Sequence, residues 1–323
     1  PPPAPPGGGA SGAVLTVGPD FEVRGGMTFL NNNLDLVNEG VVRATDAQPI
    51  VMDPASLIVN DGAIVAEGSA GIDFQGGTID NTNGEIQILE GSVFDLLQNT
   101  RIEGGTILGT GTGVLRIFST SGGQTVLQNV TLNTDVSQPT NGDATVLDQV
   151  TNNRTWTLSH TSSFDGAYLT FANGARLTGG GELVMAGNNN ERILTDNTVM
   201  VNEFGHTIRG DGRILNDTGG MINRGTIIEE GTHGLILDPN DLGFTNLGTL
   251  RAEGSGGLLF GRGVYTNTGR EIVSTAASFL RFDAGAETIE GILTAEPGSQ
   301  ILINGTSASA PLFENVVFNG AVN

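Results

Sequence analysis

The sequence predicts an all-β fold, a β-solenoid in which short strands stack turn upon turn, and three observations predict it. Short runs of alternating apolar residues recur along the 323 residues and end in Gly, Asn or Asp, as strands that end in turns do. Glycine occurs 50 times and aromatic residues form only 5% of the chain, which disfavours long helices and a conventional core. The third observation is an internal repeat with the short period of a solenoid.

The first twelve residues are predicted to lie outside the solenoid. Residues 1–12 are rich in proline and glycine, which favours an extended arm over a packed element. No pattern of a charged segment followed by an apolar one precedes residue 13, so any targeting peptide is expected to have been removed. Short clusters of Val, Ile and Leu recur from there onward, so residues 13–323 are predicted to form the solenoid.

The repeated phrase is Asn, any residue, Gly, and then a strand of alternating apolar residues. We expect its asparagines to stack at one corner and to exchange side-chain amide hydrogen bonds. They are Asn38, Asn60, Asn83 (in a looser form of the phrase), Asn223, Asn246 and Asn267. The step from Asn38 to Asn60 is 22 residues (60 minus 38), enough for three strands of four or five residues with tight turns. At ~22 residues per turn, the solenoid would have about 14 turns.

The middle of the chain departs from this period. Between about residues 119 and 202 the phrase is lost, and residues 138–143 are expected to form an enlarged corner loop, with the only tryptophan, Trp156, after it. Functional sites of solenoids usually lie where turns widen or loops protrude. This region is therefore the first place in which to expect one.

The Asn-x-Gly phrase and the Gly-Gly-Thr-Ile phrase, at residues 76–79 and 104–107, carry a family resemblance. They resemble the repeats of right-handed parallel β-helix proteins of the autotransporter-passenger and filamentous-haemagglutinin-like adhesin type. The resemblance covers roughly residues 13–323 and implies a right-handed, single-stranded parallel β-helix. Such repeats occur in adhesins, stalks, filaments and secreted enzymes alike, and the favoured interpretation is a structural or adhesive protein, not an enzyme, that is secreted or at the cell surface. A secreted carbohydrate-active enzyme, a polysaccharide lyase or hydrolase, is the alternative, and a passive carbohydrate-binding surface is a third hypothesis.

Charge and composition exclude several chemistries. The chain has 14 Lys+Arg, all of them arginine, against 35 Asp+Glu, for a net charge of −21. Without lysine there is no Walker phosphate loop and no Schiff-base chemistry, and without cysteine there is no thiolate nucleophile or disulfide. The acidic balance argues against a nucleic-acid partner. No run approaches the ~18 apolar residues of a membrane helix, so no transmembrane segment is predicted.

Candidate catalytic residues are few, and none is assigned a catalytic role. Asp73, Asp80 and Glu103 lie near the Gly-Gly-Thr-Ile phrases and could share one face, as the carboxylate pair of a glycoside hydrolase must. With 35 acidic residues, however, such a pair also arises by chance. His206 and His233 are separated by little more than one predicted turn. They could stack, but isolated surface positions are the favoured interpretation.

Glycine-rich segments offer no firm cofactor site either. Residues 109–113 and 179–181 are expected to be corner turns and not phosphate loops. Residues 210–217 faintly resemble the Gly/Asp calcium repeats of β-rolls, but the nonapeptide period is missing. No cofactor is therefore predicted. Structural calcium stays a weak hypothesis, which thermal unfolding with and without a chelator would test.

The ends of a solenoid expose strand edges that have to be capped or paired. Residues 316–320 resemble the start of another turn, and no amphipathic helix near either end would cap the stack. We therefore expect the ends to be used, either within a longer solenoid or by copies that stack head to tail into a homo-oligomer or filament. The other expected partner is a carbohydrate or cell-surface ligand.

Overall fold

The computed structural model describes residues 13–119, 123–160, 166–187, 190–305 and 310–323, so the predicted arm lies outside the described residues. No helix occurs among them. Their parallel strands stack as a β-solenoid of about 13 turns, roughly 22 residues apart, which confirms the predicted fold class. The chain divides into two compact units, Pro1–Asp135 and Val136–Asn323.

In the first unit a typical turn contributes three strands to two parallel sheets. Two of the three join one sheet and the third joins the other, as β7, β8 and β9 do. The strands are β1 (Ala13–Val17), β2 (Glu22–Gly25), β3 (Met27–Phe29), β4 (Leu34–Asn38), β5 (Val41–Ala44), β6 (Ile50–Met52), β7 (Leu57–Asn60), β8 (Ala63–Ala66), β9 (Ile72–Phe74), β10 (Gly77–Asp80), β11 (Glu85–Ile88), β12 (Val93–Leu96), β13 (Thr100–Glu103), β14 (Thr106–Gly109), β15 (Val114–Ile117) and β16 (Thr125–Asn133).

The second unit is built in the same way, and β17 starts at its boundary. The strands are β17 (Asp135–Gln138), β18 (Asp143–Asn152), β19 (Thr155–Leu158), β20 (Ala167–Thr178), β21 (Glu182–Met185), β22 (Glu191–Thr195), β23 (Val199–Asn202), β24 (Thr207–Gly210), β25 (Gly212–Ile214), β26 (Gly220–Asn223), β27 (Thr226–Glu229), β28 (Leu235–Leu237), β29 (Phe244–Asn246), β30 (Thr249–Ala252), β31 (Leu258–Phe260), β32 (Gly263–Thr266), β33 (Glu271–Ser274), β34 (Phe279–Asp283), β35 (Ala286–Ile289), β36 (Ile292–Ala295), β37 (Gln300–Asn304), β38 (Leu312–Glu314) and β39 (Val317–Asn319).

The core of the first unit includes an aliphatic column. Ile58, Ile79, Ile102 and Leu127 lie in register on consecutive turns, and all four are fully buried. Alternate residues of a strand point to opposite faces, so each strand can place an apolar residue in the column at every turn. The recurring apolar phrases therefore become a continuous interior.

Aromatic residues also enter such columns, Phe74 and Phe94 in the first unit and several more in the second. Phe260 and Phe282 stack with ring centroids 4.4 Å apart. The hydroxyl of Tyr265 donates to the carbonyl of Leu237 over 2.7 Å, so its buried polar group is satisfied. Trp156 is also fully buried. Its place in β19 makes it part of the core and not of a protruding surface.

The middle of the chain is irregular because its turns are longer. Val150 pairs with Leu177, a longer step along the chain than that from Asn38 to Asn60, and β20 alone has 12 residues. Because these turns contain more residues, the chain forms about 13 turns, whereas the sequence predicted about 14. The enlarged loop predicted at residues 138–143 is wrong. These residues form a tight turn in which the amide of Gly142 donates to the carbonyl of Pro139 over 2.8 Å.

Candidate functional site

A ladder of buried asparagine side chains joins consecutive turns of the first unit. Nδ2 of Asn38 donates to Oδ1 of Asn60 over 2.7 Å, and Nδ2 of Asn60 donates to Oδ1 of Asn81 over 2.7 Å. Nδ2 of Asn38 and of Asn60 also donates to a backbone carbonyl of the next turn. All three side chains are fully buried. Each amide thus fixes the register of its neighbour.

Asn81, and not Asn83, holds the third position, so Asn83 was wrongly assigned. Asp80 pairs with Val59, which places Asn81 beside Asn60. The next pair in register is Glu85 with Ala63. The corner of this turn is therefore one residue longer than the corner before it. Asn83 lies on the exposed side of this corner, where it donates to Oδ1 of Asp61 over 3.0 Å.

The second unit has its own ladder. Nδ2 of Asn202 donates to Asn223 over 2.9 Å, Asn223 donates to Asn246 over 2.9 Å, and Asn246 donates to Asn267 over 2.8 Å. Nδ2 of Asn267 ends the series on the carbonyl of Arg270 at 2.9 Å. The structure therefore brings together three predicted asparagines, Asn223, Asn246 and Asn267, and adds Asn202, which no Asn-x-Gly phrase marks.

A histidine extends this ladder by one step. Nδ1 of His206 lies 3.0 Å from Oδ1 of Asn202, and Nε2 lies 3.2 Å from Nδ2 of Asn152. The amide oxygen only accepts and the amide nitrogen only donates, so the ring is neutral with its proton on Nδ1. Burial lowers the pKa of His206 to about 4, against a smaller opposing effect of Glu182. The prediction of a surface position for His206 is wrong.

The corner that holds His206 explains the error. Asn202 is in register with Asn223, and Thr207 is in register with Thr226. Thr207 is the fifth residue after Asn202, whereas Thr226 is only the third after Asn223. The two extra residues let the chain direct His206 inward. They also place Phe204 on the outside, with 87% of its surface exposed.

His233 lies at a different corner, so the two histidines do not stack. Its Nδ1 is 3.3 Å from Oδ2 of Asp211, and its side chain is about half exposed. Asp211 also accepts the backbone amides of Thr232, His233 and Gly234. The carboxylate of Asp211, in the suggested calcium segment, is thus held by backbone amides of the next turn. No group of three or more His, Asp or Glu side chains suited to a metal ion occurs in the described parts of the chain.

Glu229 is a buried acid beside this corner. It is fully buried and accepts the backbone amides of Gly231 and Gly254, at 3.0 and 3.1 Å. Burial and, secondly, the charge of Asp211 raise the pKa of Glu229 to about 7. No motif in the sequence marks this residue, because only the alternation of β27 turns it inward.

The three predicted catalytic candidates do not share one face. Asp80 and Glu103 are neighbours in register on one sheet. Asp73 lies on the other sheet, where it pairs with Asp95, and Arg116 binds Asp95 through two hydrogen bonds. Burial and the charge of Asp95 raise the pKa of Asp73. The glycine runs 109–113 and 179–181 lie at corners, between β14 and β15 and between β20 and β21, as predicted.

The second unit carries a groove of about 860 Å³ on its outer surface, which we call the Arg/Asp groove. It is lined by Arg213, Ile236, Asp238, Gly261, Arg262, Arg281, Asp283, Ala284, Gly285, Asn304 and Gly305. Nη2 of Arg281 binds Oδ2 of Asp283 over 2.9 Å, and Oδ1 of Asp283 accepts from Asn304 over 3.0 Å. Sequence reasoning missed this groove because its residues come from consecutive turns.

A second groove of about 340 Å³, which we call the Phe204 trough, lies at the corner of the long turn. It is lined by Phe204, Gly205, Arg224, Gly225, Thr226, Leu247, Gly248, Thr249 and Arg270. These residues include two arginines and no carboxylate. Arg224 is paired with Glu203, so Arg270 supplies the uncompensated positive charge of the trough in a chain of net charge −21.

No family model, no curated protein and no solved structure matches this chain. Among the described residues there is also no helix long and apolar enough to cross a membrane.

Proposed function

We propose that the protein is an extracellular structural and adhesive β-solenoid whose terminal turns are covered by strand pairing, either by a second copy stacked head to tail or by further turns of a longer surface fibre. The observation that carries this proposal is the apolar surface of the last described turn. Val317 is 57% exposed, and Leu312, Phe318 and Val322 are exposed as well. Strands β38 and β39 each pair on one side, with β35 and β36. No described strand lies on their other side.

Such an edge favours association with another edge of the same kind. It presents unpaired backbone amides and carbonyls next to apolar side chains, and this combination templates further strand pairing. The first described turn offers a matching apolar surface, since Val14, Phe21 and Met27 are exposed. A second copy of the chain, joined first turn to last turn, would cover both surfaces at once.

The interior of each unit supports a mechanical role. Every turn is joined to the next by parallel backbone pairing, by packed aliphatic columns and, in much of each unit, by the asparagine ladder. Bending a unit would require many of these contacts to break together, because each repeat is held by its neighbours. The extracellular location rests on the resemblance of the Asn-x-Gly repeats to those of surface adhesins. Fractionation of the source cells would test it.

Sedimentation velocity over a range of protein concentrations tests the stacking. We expect the wild type to form larger species as the concentration rises, and Val317→Asp to abolish this because it places a charge in the interface. Leu242→Asp is the matched control, since Leu242 is 47% exposed on a corner away from the last turn. A wild type that stays monomeric throughout, or a Val317→Asp variant that associates normally, would contradict the head-to-tail stacking of copies.

One observation favours the alternative, a carbohydrate-active enzyme. In the Arg/Asp groove, Asp238 and Asp283 stand on either side of Gly261 in register, two turns or ~9.6 Å apart along the stack. This is close to the spacing of the two carboxyl groups in inverting glycosidases. Burial raises the pKa of Asp238, as a general acid requires. Release of reducing ends from acidic polysaccharides by the wild type, but not by Asp238→Asn, would establish this activity.

A further inference from the structure

We propose that the Phe204 trough binds an acidic polysaccharide, one whose sugars carry carboxylates, with the glycan chain laid across successive turns. The inference deepens the adhesive part of the proposed function, because it names the site and the class of ligand. It does not depend on stacking through the ends.

An aromatic ring without a partner marks the trough as a binding surface. Phe204 is 87% exposed, although burying such a ring would stabilise the fold. The ring stands out because the corner from Asn202 to Thr207 is two residues longer than the corner of the next turn. Sugar rings present a face of C–H groups, and an exposed aromatic face is suited to pack against it.

Two guanidinium groups border the trough, and the unpaired one, Arg270, is the main source of affinity for an acid. Nη1 of Arg224 lies 3.2 Å from Oε1 of Glu203, whereas the side chain of Arg270 has no hydrogen-bond or ion-pair partner among the described residues. Arginine binds carboxylates in a bidentate, planar arrangement. Arg224 and Arg270 come from corners two turns apart, ~9.6 Å along the stack. This spacing is comparable to the length of a disaccharide unit.

The floor of the trough stays open because glycine is required there. A Cβ atom on Gly248 would lie 2.0 Å from the carbonyl oxygen of Gly225, and one on Gly225 would lie 2.3 Å from that of His206. Close stacking of the corners therefore keeps side chains out of the floor. Thr226 and Thr249, in register beside it, offer hydroxyl groups that can bond to sugar hydroxyls.

The surface continues beyond the trough, which favours a polymer over a small ligand. An adjoining groove of about 320 Å³ shares Gly248, Thr249 and Arg270 with the trough and extends to Arg251 and Glu271. Arg251 is paired with Glu253 over 2.7 Å, so the contacts of an extended glycan centre on Phe204, Arg224 and Arg270.

Binding to polygalacturonate, measured by isothermal titration calorimetry at low salt, tests the inference. We expect the wild type to bind, with an affinity that falls as salt is added, and not to bind neutral dextran. Phe204→Ala and Arg270→Met should each weaken binding at least tenfold, whereas Phe204→Tyr should retain it. Arg24→Met is the control for net charge, since Arg24 is an exposed residue of β2 in the other unit and should bind as the wild type does.

Three outcomes would overturn the inference. They are the absence of binding to polygalacturonate, equal weakening by Arg24→Met and Arg270→Met, and binding of a sulphated glycan but not of polygalacturonate. Circular dichroism of each variant establishes that it is folded. Sedimentation velocity distinguishes this failure from failure of the proposed stacking, because Phe204 and Arg270 lie outside the last turn.

Discussion

The asparagine ladders of the two units both join consecutive turns by buried hydrogen bonds, but they use different side chains. In the first unit, Asn38, Asn60 and Asn81 pass hydrogen bonds from amide to amide. In the second, His206 stands between Asn152 and Asn202 and supplies one donor and one acceptor. A longer corner is therefore tolerated where an inserted side chain can both donate and accept. The neighbouring buried amides then keep their hydrogen-bond partners.

The difference has a consequence for pH dependence. An asparagine ladder contains no titrating group, so the ladder of the first unit should not respond to pH. The second unit buries His206, with its pKa lowered to about 4, and Glu229, with its pKa raised to about 7. The two groups act in opposite directions.

The largest effect is expected from breaking the ladder of the first unit. Asn60→Ala removes the acceptor of Asn38 and the donor of Asn81, and leaves both groups buried without that partner. Each group that loses its partner costs ~1–3 kcal/mol, and Nδ2 of Asn38 keeps the carbonyl of Ala63, so the free energy of unfolding should fall by about 2–4 kcal/mol. Urea unfolding followed by circular dichroism measures this. Asn83→Ala, at the exposed corner, is the control and should change it by less than ~0.5 kcal/mol; equal effects would contradict the ladder.

The next largest effect is the pH dependence of stability that His206 gives to the second unit. The folded state disfavours protonated His206, so stability is fully present above its ordinary pKa of 6.5 and falls as the pH drops from 6.5 to about 4. In this window the unfolded chain binds the proton and the folded chain does not, which costs up to about 3 kcal/mol. Glu229 acts in the opposite direction over much of this window, so each variant is compared with the wild type at the same pH. We expect the stability of His206→Gln relative to the wild type to rise by up to about 3 kcal/mol as the pH falls from 6.5 to about 4. The control His233→Gln should show no such rise, and the absence of the rise in His206→Gln would contradict the assignment.

Glu229 should produce the opposite trend, with an effect no larger than that of His206. Its folded pKa of about 7 lies above the ordinary 4.5, so its contribution is complete below pH 4.5 and is lost as the pH rises to about 7. Glu229→Gln should therefore make stability rise more steeply with pH between 4.5 and about 7 than it does in the wild type. The exposed Glu230→Gln serves as control. The same slope in Glu229→Gln and in the wild type would show that Glu229 does not titrate in this window.

These contrasts also show what the sequence could and could not predict. The regular spacing of the Asn-x-Gly phrases was enough to predict the stacked turns and to place Asn38, Asn60, Asn223, Asn246 and Asn267. A one-residue insertion moved the ladder from Asn83 to Asn81, and a two-residue insertion hid His206. Insertions of this size are invisible in a repeat whose period already varies by a residue or two.

The candidate surfaces were harder to foresee than the core. A core position is marked by its own apolar residue in every repeat, whereas the Phe204 trough joins single residues from corners that lie a full turn or more apart in the sequence. Their meeting depends on the register of each strand pair. The division of a turn between two sheets, which separates Asp73 from Asp80, likewise follows only from the positions of the corners.

The smallest effect is expected from ion pairs on the outer surface, where the two units are alike. Arg43 bridges Glu22 and Glu67 in the first unit, and Arg209 bridges Glu182 and Glu230 in the second. Partly exposed pairs of this kind contribute ~0–1 kcal/mol. We expect Arg43→Met and Arg209→Met each to lower the free energy of unfolding by no more than about 1 kcal/mol, and less in high salt. A loss as large as that of Asn60→Ala would contradict the view that the buried ladder dominates.

Heteronuclear NMR of the histidine side chains tests the central comparison most directly, with the His206 signal assigned from its loss in His206→Gln. We expect a neutral ring with the proton on Nδ1, which stays neutral as the pH falls through 6.5 and protonates only near 4. A ring that carries its proton on Nε2, or one that becomes charged near pH 6.5, would show that His206 does not extend the ladder.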